Sequence, residues 1–225
     1  MITSNMSLCK VAAAARKDVG QVKQHVLAKH ADFWERCLKT GAAKDDIATG
    51  CFTSSKNLQW VYALAASQGR ITLYPMLWYL TTKGVNAMQI DAEGPASYYQ
   101  PHVMERYVER FRKKGDPSAA LLAFQHRNYE KSCNPCDYKG DRDNCVAVLE
   151  DGYVTGEYLQ DDAIVHFRTF YDFDMGRKRF GHLLPMLEWR HRLNAVRFER
   201  TSRRETPHVA WCRGFELPPS LRQAA

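Results

Sequence analysis

The sequence predicts an α+β fold: a largely antiparallel sheet of five to six strands packed with helices, plus a helical N-terminal extension. Three observations carry this. Apolar residues recur at helical spacing in residues 7–39 and again around 101–129, whereas 58–91 and 145–171 are rich in Trp, Tyr, Val and Ile, which suit a pleated sheet. Turn signals such as Gln68-Gly69 and Asp151-Gly152 punctuate the second class. Helical and strand segments come in blocks without regular β–α alternation, which argues against a doubly wound parallel sheet.

Residues 7–39 read as one or two helices. Ala12 to Ala15 are strong helix formers, and Val19, Val22, Val26, Leu27, Phe33, Trp34 and Leu38 follow at helical spacing. Residues 40–57, with Gly41, Gly50, Thr53, Ser54 and Ser55, read as a polar connector and the clearest boundary. The chain thus divides into a helical extension and linker (1–56), a main α+β domain (57–215) and an irregular tail (216–225) that carries Pro218-Pro219. Strands are expected at Leu58 to Ala66, Ile71 to Leu80 and Val85 to Ile90. Gly94-Pro95 breaks the chain, and Pro101 suits the first turn of the next helix, where its missing N–H is harmless. Lys114-Gly115-Asp116-Pro117 ends that helix, and a second runs from Ser118 to Tyr129. Residues 131–144 read as a polar loop before strands at Cys145 to Leu149, Tyr153 to Leu159 and Ala163 to Tyr171. A last helix is expected over 177–200, with Pro185 as its break or start.

At 225 residues, 45% hydrophobic and 25% charged, the chain has the composition of a globular protein with one sizeable core. No apolar stretch approaches the roughly 20 residues of a membrane span. No secretory signal is recognisable at the N-terminus, so the expectation is a soluble, cytoplasmic protein with no membrane association. Seven cysteines, an odd number, argue against a disulfide framework. Residues 177–213 hold ten Lys or Arg against three Glu, an excess equal to the whole net charge of +7. Nine of the ten are Arg, which favours bidentate contact with phosphate. A polyanion, RNA above all, is the expected partner, against the plainer reading of a solvated basic face.

Residues 99–113 place His102, Arg106 and Arg110 four apart. On a helix they share an arc of about 80°, beside an apolar arc of Val103, Met104, Tyr107, Val108 and Phe111. A proton-transfer group and two fixed cations therefore line the shoulder of a half-buried helix. On the strand at Ala163 to Tyr171, alternation puts His166 and Arg168 on one face. If that face meets the His102 helix, two histidines and up to three arginines converge. Such a set suits metal-independent cleavage of RNA: one histidine takes the 2′-hydroxyl proton, another group protonates the leaving oxygen, and arginines hold the charge on phosphorus.

The run His102-x-x-x-Arg106-x-x-x-Arg110, followed by a hairpin and a strand carrying His-x-x-Thr, resembles the histidine–arginine helix of the barnase–EndoU–colicin–RelE superfamily of metal-independent ribonucleases. Many of those are toxins of bacterial and phage conflict systems. The resemblance covers residues 58–175. It implies His102 and His166 as catalytic residues, and Arg106, Arg110, Arg168 and Thr169 as substrate-binding residues. No cofactor is implied, and an antitoxin-like protein is implied as a second kind of partner. Cys133-x-x-Cys136 with Cys145 nearby has part of a zinc-knuckle pattern. One such pair falls short of four ligands, so no metal is assigned. Glu157, Asp172 and Asp174 could bind a divalent metal, but such carboxylates are more often solvated strand ends, and no metal nuclease is assigned. Glycine-loop, nucleophile-elbow and His-Glu-x-x-His motifs are missing, which argues against P-loop enzymes, α/β-hydrolases and zincins. The expected activity is a metal-independent endoribonuclease of a phage, mobile-element or toxin system. The alternative is a non-enzymatic nucleic-acid-binding or protein-interaction module using the arginine-rich C-terminal surface.

Overall fold

A computed structural model describes residues 2, 6–40, 46–67, 70–91, 94–111, 116–135 and 145–181. Ser7 opens helix α1 (Leu8–Lys29) by accepting the Lys10 N–H, and Val11, Ala15, Val22 and Val26 form its buried stripe at helical period. Helix α2 (Ala31–Thr40) follows and buries Trp34. Next come strands β1 (Asp46–Thr53), β2 (Gln59–Ser67), β3 (Arg70–Thr81), β4 (Gly84–Gln89) and β5 (Ala96–Tyr99). Helix α3 (Pro101–Phe111) begins at its proline, as does α4 (Pro117–Asn128). Strands β6 (Ser132–Pro135), β7 (Cys145–Val148), β8 (Gly152–Leu159) and β9 (Ile164–Asp172) complete the sheet. Helix α5 (Phe173–Phe180) is capped by Asp172, whose carboxylate accepts the Met175 N–H at 2.8 Å.

The architecture is α+β, with one mixed sheet in the order β1-β2-β3-β4-β5-β9-β8-β7-β6. The expectation of five to six largely antiparallel strands is corrected to nine among the described residues, with one parallel pair, β5–β9. The extra strands lie where polar residues hide the signal. β1 sits inside the stretch read as a connector and pairs with β2 over eight residues. β5 occupies the few residues between Gly94 and Pro101, and β6 lies in the stretch read as a loop. The expected helix over 177–200 overlaps α5, which starts earlier, at Phe173, and ends at Phe180; residues 182–200 and the tail lie outside the described residues.

Two apolar clusters lie on opposite faces of the sheet. On the outer face, Trp60, Leu64, Leu77, Met88, Tyr98 and Ile164 meet Val11, Val22 and Val26 of α1 and Trp34 of α2. On the inner face, Val61, Met76, Tyr99, Val154, Val165 and Phe167 meet Val103, Met104 and Tyr107 of α3 and Leu121 and Phe124 of α4. Edge-to-face rings tighten the inner cluster, Tyr107–Phe124 at 5.0 Å and Tyr99–Phe124 at 5.3 Å. Each such pair contributes about 0.5–1.5 kcal/mol beyond its buried area.

The N-terminal helices are bolted to the sheet by polar contacts. The fully buried Asp18 accepts from Trp60 Nε1 and from Gln21 Nε2, both at 3.0 Å. Gln21 Oε1 in turn accepts the Ser55 N–H at 3.0 Å, which holds the β1–β2 turn. The Tyr62 hydroxyl meets His30 Nε2 at 3.0 Å across β1. That crossing needs Gly50, because a Cβ there would lie 2.3 Å from the hydroxyl. The described residues among 1–56 are therefore partly a layer on the sheet and partly its edge strand.

The sheet also curls over its inner face. Lys131, just before β6, donates to Gln89 Oε1 on β4 at 2.6 Å, and Gln89 Nε2 donates to the Tyr129 carbonyl at 2.7 Å. Four strands separate β4 from β6 in the sheet order, so these bonds close the β6 edge toward β4. Asp151, in the β7–β8 turn, is the second tie. It accepts from Tyr107 Oη of α3 (3.0 Å) and from Arg127 Nε (2.6 Å) and Asn128 Nδ2 (3.0 Å) of α4.

Candidate functional site

Helix α3 carries the first set of expected site residues. His102 lies in its first turn, where Arg106 Nε donates to His102 Nε2 at 3.5 Å and Glu105 lies 3.7 Å from Nδ1. Arg106 also pairs with Glu109 at 3.0 Å. This is an exposed ladder of alternating charge, with His102 44% and Arg106 43% accessible. Exposed pairs of this kind are worth only about 0.3–0.5 kcal/mol each. One turn on, Arg110 turns away from the ladder, pairs with Asp172 at the end of β9 and touches Met175 of α5. Arg110 thus ties α3 to the β9–α5 junction.

Strand β9 carries the second set. Val165 and Phe167 point into the inner cluster beneath α3, so alternation turns His166 to the outer face. Its ring lies 5.0 Å from that of Tyr98 on β5, which also belongs to the outer cluster. The sheet therefore stands between His102 and His166. The two-histidine arrangement expected from the sequence is not assembled, because α3 covers the face from which His166 points away.

The structure groups a different set. Gly156 pairs with Phe167 and Thr155 with Thr169, so Arg168 is the extra residue of a β-bulge. The bulge lets His166, Arg168 and Thr169 all serve the outer side. The Arg168 carbonyl accepts from Gln100 Nε2 at 2.7 Å. Glycine is required at 156, since a Cβ there would lie 1.9 Å from the His166 carbonyl oxygen. Across the hairpin, Glu157 faces His166, and its Oε1 lies 3.4 Å from His166 Nδ1 while also pairing with Arg168 Nη2. All three side chains are about one-fifth to one-quarter accessible, far more enclosed than the α3 ladder. The Tyr98 hydroxyl donates to Asn86 Oδ1 at 2.6 Å, which fixes the ring beside the histidine. Burial, and then Tyr79, push that phenol well above its ordinary pKa, so it stays a neutral wall.

A carboxylate, an imidazole and a guanidinium within hydrogen-bond reach can move protons and hold an anion. Among the described residues no group of three His, Cys, Asp or Glu is arranged to hold a metal ion. Glu157 and Tyr98 escaped the sequence reading as members of this set. Glu157 was legible in principle: counting back from the Asp161-Asp162 turn places it opposite His166. Tyr98 was not, because its neighbourhood depends on the parallel β5–β9 pairing. Of the basic segment 177–213, only residues 177–181 are described.

No family model matches the chain, and neither a curated protein nor a solved structure matches it.

Proposed function

We propose that the chain is a metal-independent endoribonuclease whose chemistry lies on the β8–β9 outer face. The observation that carries this is the single Glu157 carboxylate shared by His166 and Arg168 at the bulge. Of the resemblance noted in the sequence, only the strand part, His166-x-x-Thr169, bears on this site. An entering phosphodiester draws Arg168 from Glu157 to a phosphate oxygen, where its planar fork suits two hydrogen bonds. The freed carboxylate then takes the 2′-hydroxyl proton. His166, through Nδ1, the nitrogen facing Glu157, gives a proton to the departing 5′-oxygen. In this reading Arg106 and Arg110 are structural ion-pair residues, and His102 takes no part in the chemistry.

The test is cleavage of a mixed RNA pool in EDTA. Wild type cuts; Glu157→Gln and His166→Ala each lose about 10²- to 10⁴-fold, the usual worth of one acid–base group. His102→Ala cuts at the wild-type rate. A requirement for His102 with none for His166 moves the site to α3. Salt-sensitive RNA binding by the wild type without any cleavage replaces the enzyme with a binding module.

A further inference from the structure

Where the curled β6 edge approaches β4 and β5, the inner face holds a second group of reactive side chains. The register pairs Cys133 with Ala147 and Cys145 with Pro135, so the two cysteines are diagonal neighbours on adjacent strands with side chains on one face. The Cys145 thiol hydrogen-bonds the Cys133 sulfur, and this contact holds the Cys133 thiol below its ordinary pKa. Partial loss of water around the sulfur opposes the shift, as does Asp91, and the nearby Lys131 ammonium adds to it. Both cysteines are free; Cys133 is exposed on the edge strand and Cys145 is buried behind it. An accessible thiol biased toward thiolate, backed by a second thiol in contact, is the layout of an attacking and a resolving cysteine.

We propose that Cys133 is a thiol–disulfide exchange site for low-molecular-weight disulfides of the glutathione type, with Cys145 as the resolving thiol. The Cys133 thiolate attacks one sulfur of the small disulfide, forming a mixed disulfide and releasing one small thiolate. Cys145 gives up its proton and attacks the Cys133 sulfur, closing a Cys133–Cys145 bond and releasing the second small thiolate. The protein loses two electrons and two protons, and the small disulfide becomes two thiols. Diagonal strand neighbours have Cα atoms about 7–8 Å apart, whereas a disulfide needs about 6.8 Å or less. Closure therefore draws β6 along β7, which a four-residue strand paired, among the described residues, with β7 alone permits. The same movement strains the Lys131–Gln89 bond that holds the curled edge to β4.

The experiment treats the full chain with oxidised glutathione and maps its cysteines by peptide mass. Wild type is expected to yield a Cys133–Cys145 disulfide. Cys145→Ser is expected to retain a glutathione adduct on Cys133, and Cys133→Ser to show neither an adduct on Cys145 nor a bond to it. An unmodified Cys133 in the wild type overturns the proposal. So does a Cys145→Ser protein that still closes a bond, through Cys136. The wild-type map needs no substitution, so a variant that fails to fold leaves the proposal testable.

Discussion

Asp151→Ala is expected to be among the most destabilising single changes outside the apolar clusters. The carboxylate lies in the β7–β8 turn and is almost fully buried. It accepts from Tyr107 Oη, Arg127 Nε and Asn128 Nδ2 at 3.0, 2.6 and 3.0 Å. Removing it leaves two buried donors stranded, since Tyr107 is 2% and Asn128 0% exposed. Each stranded donor costs about 1–3 kcal/mol. Arg127 is 55% exposed and rehydrates, so its loss adds little. The expected cost is about 3 kcal/mol, a large part of the roughly 5–15 kcal/mol that holds a domain together. For a chain of this length that lowers Tm by about 6–12 °C. Urea unfolding followed by tryptophan fluorescence measures it, with Tyr107→Phe as the reference. That reference removes one donor and leaves the carboxylate two partners, for about 1 kcal/mol. Asp151→Asn is expected to cost clearly less than alanine, because its carbonyl oxygen can take the Oδ2 place and still accept from Tyr107 and Asn128, leaving the amide NH2 facing only the exposed Arg127. A loss for Asp151→Ala no greater than for Tyr107→Phe would refute the reasoning, since the carboxylate would then not be what satisfies α3 and α4.

Two further outcomes follow from the outer face. His25 and His30 both have pKa values lowered, chiefly by burial and then by Lys29, so the unfolded chain takes up their protons first. Their contribution is intact above about pH 6.5, the ordinary histidine value, and is lost as pH falls through their folded values. Tm is expected to drop between about pH 7 and pH 5, and to drop less in a His25→Gln/His30→Gln variant; equal drops would contradict the assignment. Gly156→Ala drives a Cβ into the His166 carbonyl and has no flexible side chain to displace. It is expected to cost about 1–3 kcal/mol and to move the His166 ring resonances by NMR; unchanged resonances would mean that the bulge does not position the histidine.

The elements whose signals are local were legible in the sequence. The helical run with Val22 and Val26 in α1, Pro101 at the start of α3, and Asp151-Gly152 in the β7–β8 turn all appear where the residues point, whereas Pro117, read as the end of one helix, opens the next. β1, β5 and β6 were hidden because each is short or polar, and each is held by a neighbouring strand rather than by its own pattern. The α3 ladder was visible as a spacing, but spacing cannot say which face of a sheet a helix covers. That one fact separates His102 from His166 and redirects attention to Glu157, whose place is set by hairpin register.

By itself the sequence determined the class of fold, most helix positions and the chemistry available: two histidines, clustered arginines and an excess of basic charge near the C-terminus. Helical period, proline geometry and turn chemistry act over a few residues, so they survive in one dimension. Only the tertiary structure decided the strand order, the parallel β5–β9 junction, the curl that carries Cys133 toward β4, and the bulge that gathers Glu157, His166 and Arg168. Those features arise from pairing between residues far apart in the chain, where a one-residue shift in register exchanges the faces of a strand and therefore its neighbours.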